Sequence, residues 1–188
     1  PLAIVRAIHD SVQHGDRGDE AGWKDIDREV ARAHSGVEAL LLLARLESGA
    51  VQPRSDRVRI DLLVEAHLPE NSSAELVAEP SIVMADAELL GVAVDNLLRN
   101  AERHGGGGAV LVQVKDGTMR VTTSGPAFPE EVLRADSGTK FVSSHAGTGF
   151  GLALTRTIAA LHGGTLELRN PPGGGTECVL VIPLVSQS

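Results

Sequence analysis

The chain has 188 residues, of which 42% are hydrophobic, so it can bury one core domain beside a smaller element. Its net charge of −8 and its few aromatic residues (three Phe, one Trp and no Tyr) argue against a nucleic-acid partner, which needs basic surface and stacking side chains. One cysteine excludes an internal disulfide, and no apolar stretch approaches the roughly 20 residues that span a bilayer.

Two helices are predicted at the start of the chain. Residues 2–14 carry apolar side chains three and four apart, residues 15–22 predict a turn, and residues 23–47 carry a longer helical pattern. The apolar residues of the second helix form a heptad seam, namely Ile26, Val30, Ala33, Val37, Leu40 and Ala44. Because a two-helix hairpin buries such a face poorly, we expect a second copy of the chain to complete a four-helix bundle.

The domain that follows is predicted to mix strands and helices. Residues 50–57 indicate a linker, and strands are expected near residues 58–60, 75–79, 81–84, 109–114, 119–123, 165–168 and 176–182. Helices are predicted at residues 87–104 and 130–134 and from residue 152 to the Gly163-Gly164 stop. This order favours an α+β chain in which a mixed sheet is covered by helices on one side.

The helix at residues 87–104 has two distinct faces. Its apolar stripe consists of Leu90, Val94, Leu97 and Ala101. Asn96, Asn100 and Arg103 are spaced four and three apart on another face, about a third of a turn away. Asn is a poor helix former, so two in register predict a polar edge that faces a cleft; a solvated face is the alternative.

Three alternating glycines, Gly147, Gly149 and Gly151, stand immediately before the next helical pattern. Such a loop at a helix N-terminus can place N–H groups around anionic oxygens, although it is equally typical of a flexible surface loop. Neither the P-loop nor the dinucleotide-binding pattern is present. Combined with the Asn amides and Arg103, the loop predicts a site for a nucleoside triphosphate with Mg²⁺.

Residues 86–183 resemble the ATP-binding domain of sensor histidine kinases, a GHKL or Bergerat-type α/β sandwich shared with gyrase, Hsp90 and MutL ATPases. The segment 95–104 (DNLLRNAERH) resembles the N box, residues 147–152 the G2 box, and Gly175-Thr176 a trailing G-T element. The resemblance implies that Asn100 binds Mg²⁺ and that Asn96 contacts metal or phosphate. It also implies that Arg103 reaches the phosphates and that His104 packs beside the nucleoside.

The resemblance implies catalytic roles for Asn96, Asn100 and Arg103. Lys140, beside a remnant of the F box at Phe141, is expected near the phosphates. The full ATP-binding set that it implies is Asn96, Asn100, Arg103, His104, Thr123, Gly125, Lys140, Gly147, Thr148, Gly149, Phe150, Gly151, Leu152 and Thr176.

One position departs from the family pattern. The G1 box usually reads D-x-G-x-G, and its Asp accepts a hydrogen bond from the adenine amino group; the matching residues here begin with Thr123 and end with Ala127. Replacing a charge-assisted bond by a neutral one is expected to cost about 1–2 kcal/mol, or roughly ten-fold in affinity.

The first domain resembles the dimerisation and phosphotransfer hairpin of the same family. Residues 41–47 (LLLARLE) resemble the end of its second helix, and Pro1-Leu2 resemble the tail of the H box. The phosphoacceptor histidine would then lie just upstream of Pro1, and His9, His14 and His34 do not match the motif. The implied domains are a hairpin at 1–49, a linker at 50–57 and an ATP-binding domain at 58–188.

The expected protein is the cytoplasmic catalytic core of an inner-membrane sensor histidine kinase, joined in its parent to sensor and transmembrane domains. It would bind ATP and Mg²⁺, form a homodimer through its N-terminal helices, and pass the γ-phosphoryl group to the upstream histidine. A response-regulator receiver domain would then accept that group on an Asp. The alternatives are a dimeric scaffold that binds nucleotide poorly, and another ATPase or a serine kinase of the same superfold.

Overall fold

The computed structural model describes residues 19–69, 72, 74–134 and 150–185. The helices of these residues are α1 (Asp19–Glu47), α2 (Ile60–His67), α3 (Ala87–His104), α4 (Glu130–Arg134) and α5 (Phe150–Leu161). The strands are β1 (Asp56–Arg59), β2 (Glu75–Ala78), β3 (Ile82–Ala85), β4 (Val110–Lys115), β5 (Thr118–Thr123), β6 (Thr165–Arg169) and β7 (Thr176–Val181). The predicted helix at residues 2–14 and the F-box remnant at Phe141 lie outside the described residues.

The main sheet has five strands in the order β2-β4-β5-β7-β6. β2 pairs with β4 in parallel and the other neighbours are antiparallel, so the sheet is mixed, as predicted. Alternate residues of β4 and β5 are buried, and this period of two places one face of the sheet against the helices. The α+β architecture predicted from the sequence is confirmed. β1 and β3 form a separate antiparallel pair, which neither strand's own sequence specified.

Helix α3 supplies the centre of the core, and its boundaries agree with the prediction. Its predicted stripe of Leu90, Val94, Leu97 and Ala101 is buried. The helix begins after Asp86, whose Oδ1 accepts hydrogen bonds from the N–H groups of Glu88 at 3.0 Å and Leu89 at 3.1 Å. The Oδ2 of the same Asp86 carboxylate accepts a hydrogen bond from the Arg54 backbone N–H at 2.9 Å. This bond joins the segment before β1 to the start of α3.

Helix α1 begins at Asp19, so the turn predicted for residues 15–22 is wrong over its last four positions. Gly22 does not end this helix, since one Gly inside a long helix costs only about 1 kcal/mol. At its other end, Leu43 and Leu46 are buried in the core, where α1 packs against α5. Across the described ranges, no helix is both long enough and apolar enough to cross a bilayer.

Candidate functional site

The polar face of α3 lies against the first turn of α5. Asn96 and Asn100 are half-buried and Arg103 is exposed on this face. A Cβ built on Gly151 would lie 3.4 Å from the Asn96 Oδ1, so the Asn96 carboxamide lies directly beside the first turn of α5. The structure therefore brings together Asn96 and Gly151, which stand in separate motifs of the sequence.

The carboxamide of Asn96 has an unsatisfied end. Its Nδ2 is buried and has no hydrogen-bond partner among the described residues. Because the O and N of a carboxamide are interchangeable by a flip, either atom can be the one without a partner. Leaving a buried polar atom unpaired costs about 1–3 kcal/mol, which makes this group suited to a ligand.

His162 links the antiparallel helices α3 and α5 through two hydrogen bonds. At the end far from Asn96, the His162 Nε2 accepts a hydrogen bond from the Asp86 N–H at 3.0 Å. The His162 Nδ1 donates to the Ile158 carbonyl oxygen at 2.7 Å. Since a carbonyl only accepts and an amide N–H only donates, His162 is the neutral tautomer with its proton on Nδ1. His162 thus joins the C-terminus of α5 to the N-terminus of α3.

The C-terminal end of α3 meets the loop that follows β5. A Cβ at Gly125 would lie 2.6 Å from the His104 carbonyl oxygen, so only glycine allows this close approach. His104 is half-buried here, and burial lowers the pKa of its imidazole, with the charge of Arg103 acting in the same direction. His104 is therefore biased toward its neutral form.

Thr123 and Thr176 lie together at the end of the candidate site near the C-terminus of α3. Their hydroxyl oxygens are 2.9 Å apart and hydrogen-bonded, and both residues are buried. The strand register places them directly opposite each other on β5 and β7. The resemblance assigned these two residues to one site, and the structure shows that they share a hydrogen bond.

Some of the predicted site lies outside the described residues, namely Lys140, Gly147, Thr148 and Gly149. Phe150 and Leu152 lie in the first turn of α5, both half-buried, and Leu152 packs against the core. Within this turn, the Thr155 hydroxyl donates to the Gly151 carbonyl oxygen at 2.9 Å.

Two residues that support the elements of the site had no functional signal in the sequence. In the sequence, His162 lies beside a turn and is one of seven histidines, whose spacing does not match a metal site. Asn170 lies in a Pro- and Gly-rich connection. Both act through hydrogen bonds to backbone groups of segments remote in the sequence. Such contacts leave no periodic pattern, so only the folded chain reveals them.

Chemically, the site has two ends. The Asn face of α3 and the N-terminus of α5 offer neutral amide groups and the positive end of a helix dipole, which suit anionic oxygens and a hard cation. The hydroxyl pair and the imidazole of His104 lie toward the other end, at the C-terminus of α3. An elongated ligand with an anionic end and an uncharged end fits this arrangement.

Comparison with known proteins agrees with this geometry. Residues 85–186 match the family described as histidine kinase-, DNA gyrase B- and HSP90-like ATPase. The chain belongs to this family. Within it, the curated relatives include the sensor-type histidine kinase PrrB of Mycobacterium tuberculosis strain H37Rv, with 34% identity over 97% of this chain and 45% of PrrB. The chain is thus related to sensor histidine kinases, and it spans about half the length of these relatives.

Solved structures show the same fold. The ATP-binding domain of PrrB from Mycobacterium tuberculosis superposes with a TM-score of 0.53 and 29% identity, over 70% of this chain and 98% of that one. The histidine kinase AdeS of Acinetobacter baumannii superposes with a TM-score of 0.71 over 98% of this chain and 95% of that one. Its identity is 18%, so AdeS supports the fold alone.

Proposed function

We propose that this chain binds ATP with Mg²⁺ between α3 and α5 and delivers the γ-phosphoryl group to a histidine of the dimerisation hairpin. The observation that carries the proposal is the buried, unpaired carboxamide end of Asn96 beside the first turn of α5. The structure of the ATP-binding domain of PrrB superposes on 70% of this chain. Positioning and electrostatic stabilisation supply most of such catalysis, so no protein nucleophile is needed in the ATP site itself.

The donor set of this site fits Mg²⁺. Asn100 and Asn96 lie one turn apart on α3, and their amide oxygens are the hard ligands that the ion takes together with phosphate oxygens and water. Neutral ligands suit a metal whose charge is already balanced by a triphosphate. The ion would neutralise charge on the phosphates, and Arg103 would add a cation at the same end.

The nucleoside would occupy the other end. We assign His104 to its side and Thr123, Gly125 and Thr176 to the pocket that receives the base. A hydroxyl pair stands where the family pattern has a carboxylate, so the base is held by neutral hydrogen bonds.

The phosphoryl acceptor and the partners follow from the family resemblance. We assign the acceptor histidine to the segment upstream of Pro1 and the next acceptor to an Asp of a response-regulator receiver domain. A second copy of the chain would cover the heptad seam of α1, whose Val30 and Val37 are 53% and 56% exposed. In the parent protein, this core would lie on the cytoplasmic side of a membrane-anchored sensor.

ATP binding by the chain itself is the first test. Titration with a fluorescent ATP analogue should show Mg²⁺-dependent binding that Asn100→Ala abolishes and Asn96→Ala weakens at least ten-fold, since each loses a metal or phosphate contact. Asn96→Ala should keep or raise the melting temperature, because it removes an unpaired buried group. Gln52→Ala, which alters an exposed carboxamide in the linker, is the matched control.

Phosphotransfer needs the longer protein. With the residues upstream of Pro1 present, γ-labelled ATP and Mg²⁺ should place an acid-labile, base-stable label on the upstream histidine.

In the ATP titration described above, retained ATP binding by Asn100→Ala would show that the metal ligand is misassigned.

A second candidate is a dimeric scaffold that binds nucleotide poorly, and the engagement of the Thr123 hydroxyl by Thr176 favours it. Absence of both ATP binding and histidine label, with the dimer intact, would decide for the scaffold.

A further inference from the structure

The carboxamide of Asn170 holds the main chain of Phe128 at two points. Its Oδ1 accepts a hydrogen bond from the Phe128 N–H at 2.8 Å, and its Nδ2 donates to the Phe128 carbonyl oxygen at 3.0 Å. One side chain therefore satisfies both backbone groups of a residue that belongs to no strand, as a paired strand would. The Phe128 side chain meanwhile packs against the core.

The connection that carries Asn170 also holds Thr123. This connection joins β6 to β7, and Gly175 at its end has a φ of +85°. A Cβ at Gly175 would lie 1.9 Å from the Thr123 carbonyl oxygen, so the two backbones are in close contact. Thr176 follows and bonds the Thr123 hydroxyl. The β6–β7 connection thus bonds the loop at residues 124–127 at its Phe128 end and passes close to its Thr123 end, where Thr176 of β7 supplies the hydrogen bond.

The middle of this loop packs against the C-terminal end of α3. Gly125 lies against the backbone of His104 and Gly105, and Pro126 lies against Gly106. Thr123 is fixed by the sheet register, whereas Phe128, beyond the end of β5, relies on Asn170 for its main-chain hydrogen bonds. Without Asn170, this end of the loop would have only the core packing of the Phe128 side chain, and both main-chain groups of Phe128 would lose their partner.

We infer that Asn170 is a positioning residue for nucleotide recognition: by holding Phe128, it keeps the loop at residues 124–127 against the C-terminal end of α3. This inference rests on the proposed function, in which the nucleoside lies beside His104 and Thr123. Asn170 acts on the nucleoside end only, because the Asn96–Gly151 contact at the phosphate end involves neither the loop nor the β6–β7 connection.

Asn170→Ala tests the inference through two ligands that differ only in the nucleoside. ATP·Mg²⁺ and tripolyphosphate·Mg²⁺ are titrated as competitors of a fluorescent ATP analogue against the wild type, Asn170→Ala and the control Gln52→Ala. Loss of two solvent-accessible hydrogen bonds should weaken ATP binding about ten-fold in Asn170→Ala. Tripolyphosphate binding should stay within about two-fold of the wild type, and so should both ligands in the control.

Asn170→Asp refines the test, since it keeps the acceptor for the Phe128 N–H but places a carboxylate against the Phe128 carbonyl oxygen. We expect ATP binding at least as weak as that of Asn170→Ala. Equal weakening of both ligands, or wild-type ATP affinity in Asn170→Ala, would overturn the positioning role while leaving the proposed function standing. Failure of the wild type to bind ATP at all would overturn the proposed function, and this inference with it.

Discussion

Thr123 and Thr176 share a hydrogen bond at the nucleoside end of the proposed site, and this bond limits what each hydroxyl can offer a base. Two hydroxyls have two protons, of which one is used between them; the other proton and the remaining lone pairs stay available. A carboxylate would offer acceptors only, and charged ones. The pair is therefore a weaker acceptor for an amino group than the Asp of the family pattern.

Thr123→Asp should raise ATP affinity about ten-fold by restoring a charge-assisted bond. The same change should lower the melting temperature without nucleotide, because it buries a carboxylate where a hydroxyl was satisfied. Calorimetric titration and thermal unfolding measure the two effects, with Thr122→Asp on the outer face of β5 as control. Weaker ATP binding by Thr123→Asp would show that the base does not meet this position.

A second single-residue feature is the carboxylate of Asp61, which is buried at the start of α2. Its Oδ1 accepts hydrogen bonds from the Arg59 Nε–H at 2.8 Å and from the Ser81 backbone N–H at 3.1 Å. The Arg59 hydrogen bond, assisted by the Ser81 N–H and opposed by burial, lowers the pKa of Asp61 from 3.8 to about 2. Because the folded pKa lies below the unfolded one, this group stabilises the fold above pH 4.

Urea unfolding at several pH values tests this linkage. The contribution of Asp61 should be complete at neutral pH and should be lost as the pH falls from about 4 through 2. Asp61→Asn should cost about 1–2 kcal/mol of unfolding free energy at pH 7 and should show a flatter acid limb than the wild type. An unchanged slope between pH 4 and pH 2 in Asp61→Asn would contradict the assignment.

Among the elements, α3 and α5 set the geometry of the site. They run antiparallel, with Asn96 beside Gly151 at one end and Asp86 bonded to His162 at the other. The Asp86 carboxylate is held by three backbone N–H groups, which together with Arg54 outweigh the effect of burial and lower its pKa. The linker, the start of α3 and the end of α5 therefore meet at one residue.

His162→Ala should lower the free energy of unfolding by about 1–3 kcal/mol, because the Asp86 N–H and the Ile158 carbonyl oxygen lose their partner. His162→Gln can still offer an acceptor near the position of Nε2 and should recover part of this loss. Denaturant unfolding compares the three proteins, and His34→Ala on the exposed side of α1 serves as control. Equal stability of all three would show that the link between α3 and α5 contributes little.

For the molecule as a whole, α1 faces two ways. Leu43 and Leu46 are buried where the helix packs against α5, whereas Val30 and Val37 of the heptad seam are more than half exposed. A long helix with one apolar face in its own domain and another open to solvent is typical of a chain that associates with a second copy.

Val30→Glu combined with Val37→Glu should convert the proposed dimer to a monomer, since two charges would enter an apolar seam. Sedimentation equilibrium measures the change, and the melting temperature of the ATP-binding domain should remain that of the wild type. Leu62→Glu, at another exposed apolar position, should leave the mass unchanged. A wild-type chain that is monomeric at every concentration would refute the seam as an interface.

The sequence by itself determined the elements and the class of chemistry, because both depend on local patterns. The stripe of α3 and the glycine stop after α5 follow from periodicity and turn residues. The Asn96–Asn100–Arg103 spacing likewise fixed which side chains share a face, since one turn of helix is the same in any context.

Only the tertiary structure decided which of these pieces meet. The contact of Asn96 with Gly151, the Thr123–Thr176 bond, and the backbone contacts of His162 and Asn170 each join residues far apart in the chain. No local pattern encodes such pairs, because they arise from strand register and helix packing, in which the whole core takes part. The proposed phosphate end therefore stands on residue types that the sequence displays, whereas the contacts that support the proposed nucleoside end required the fold.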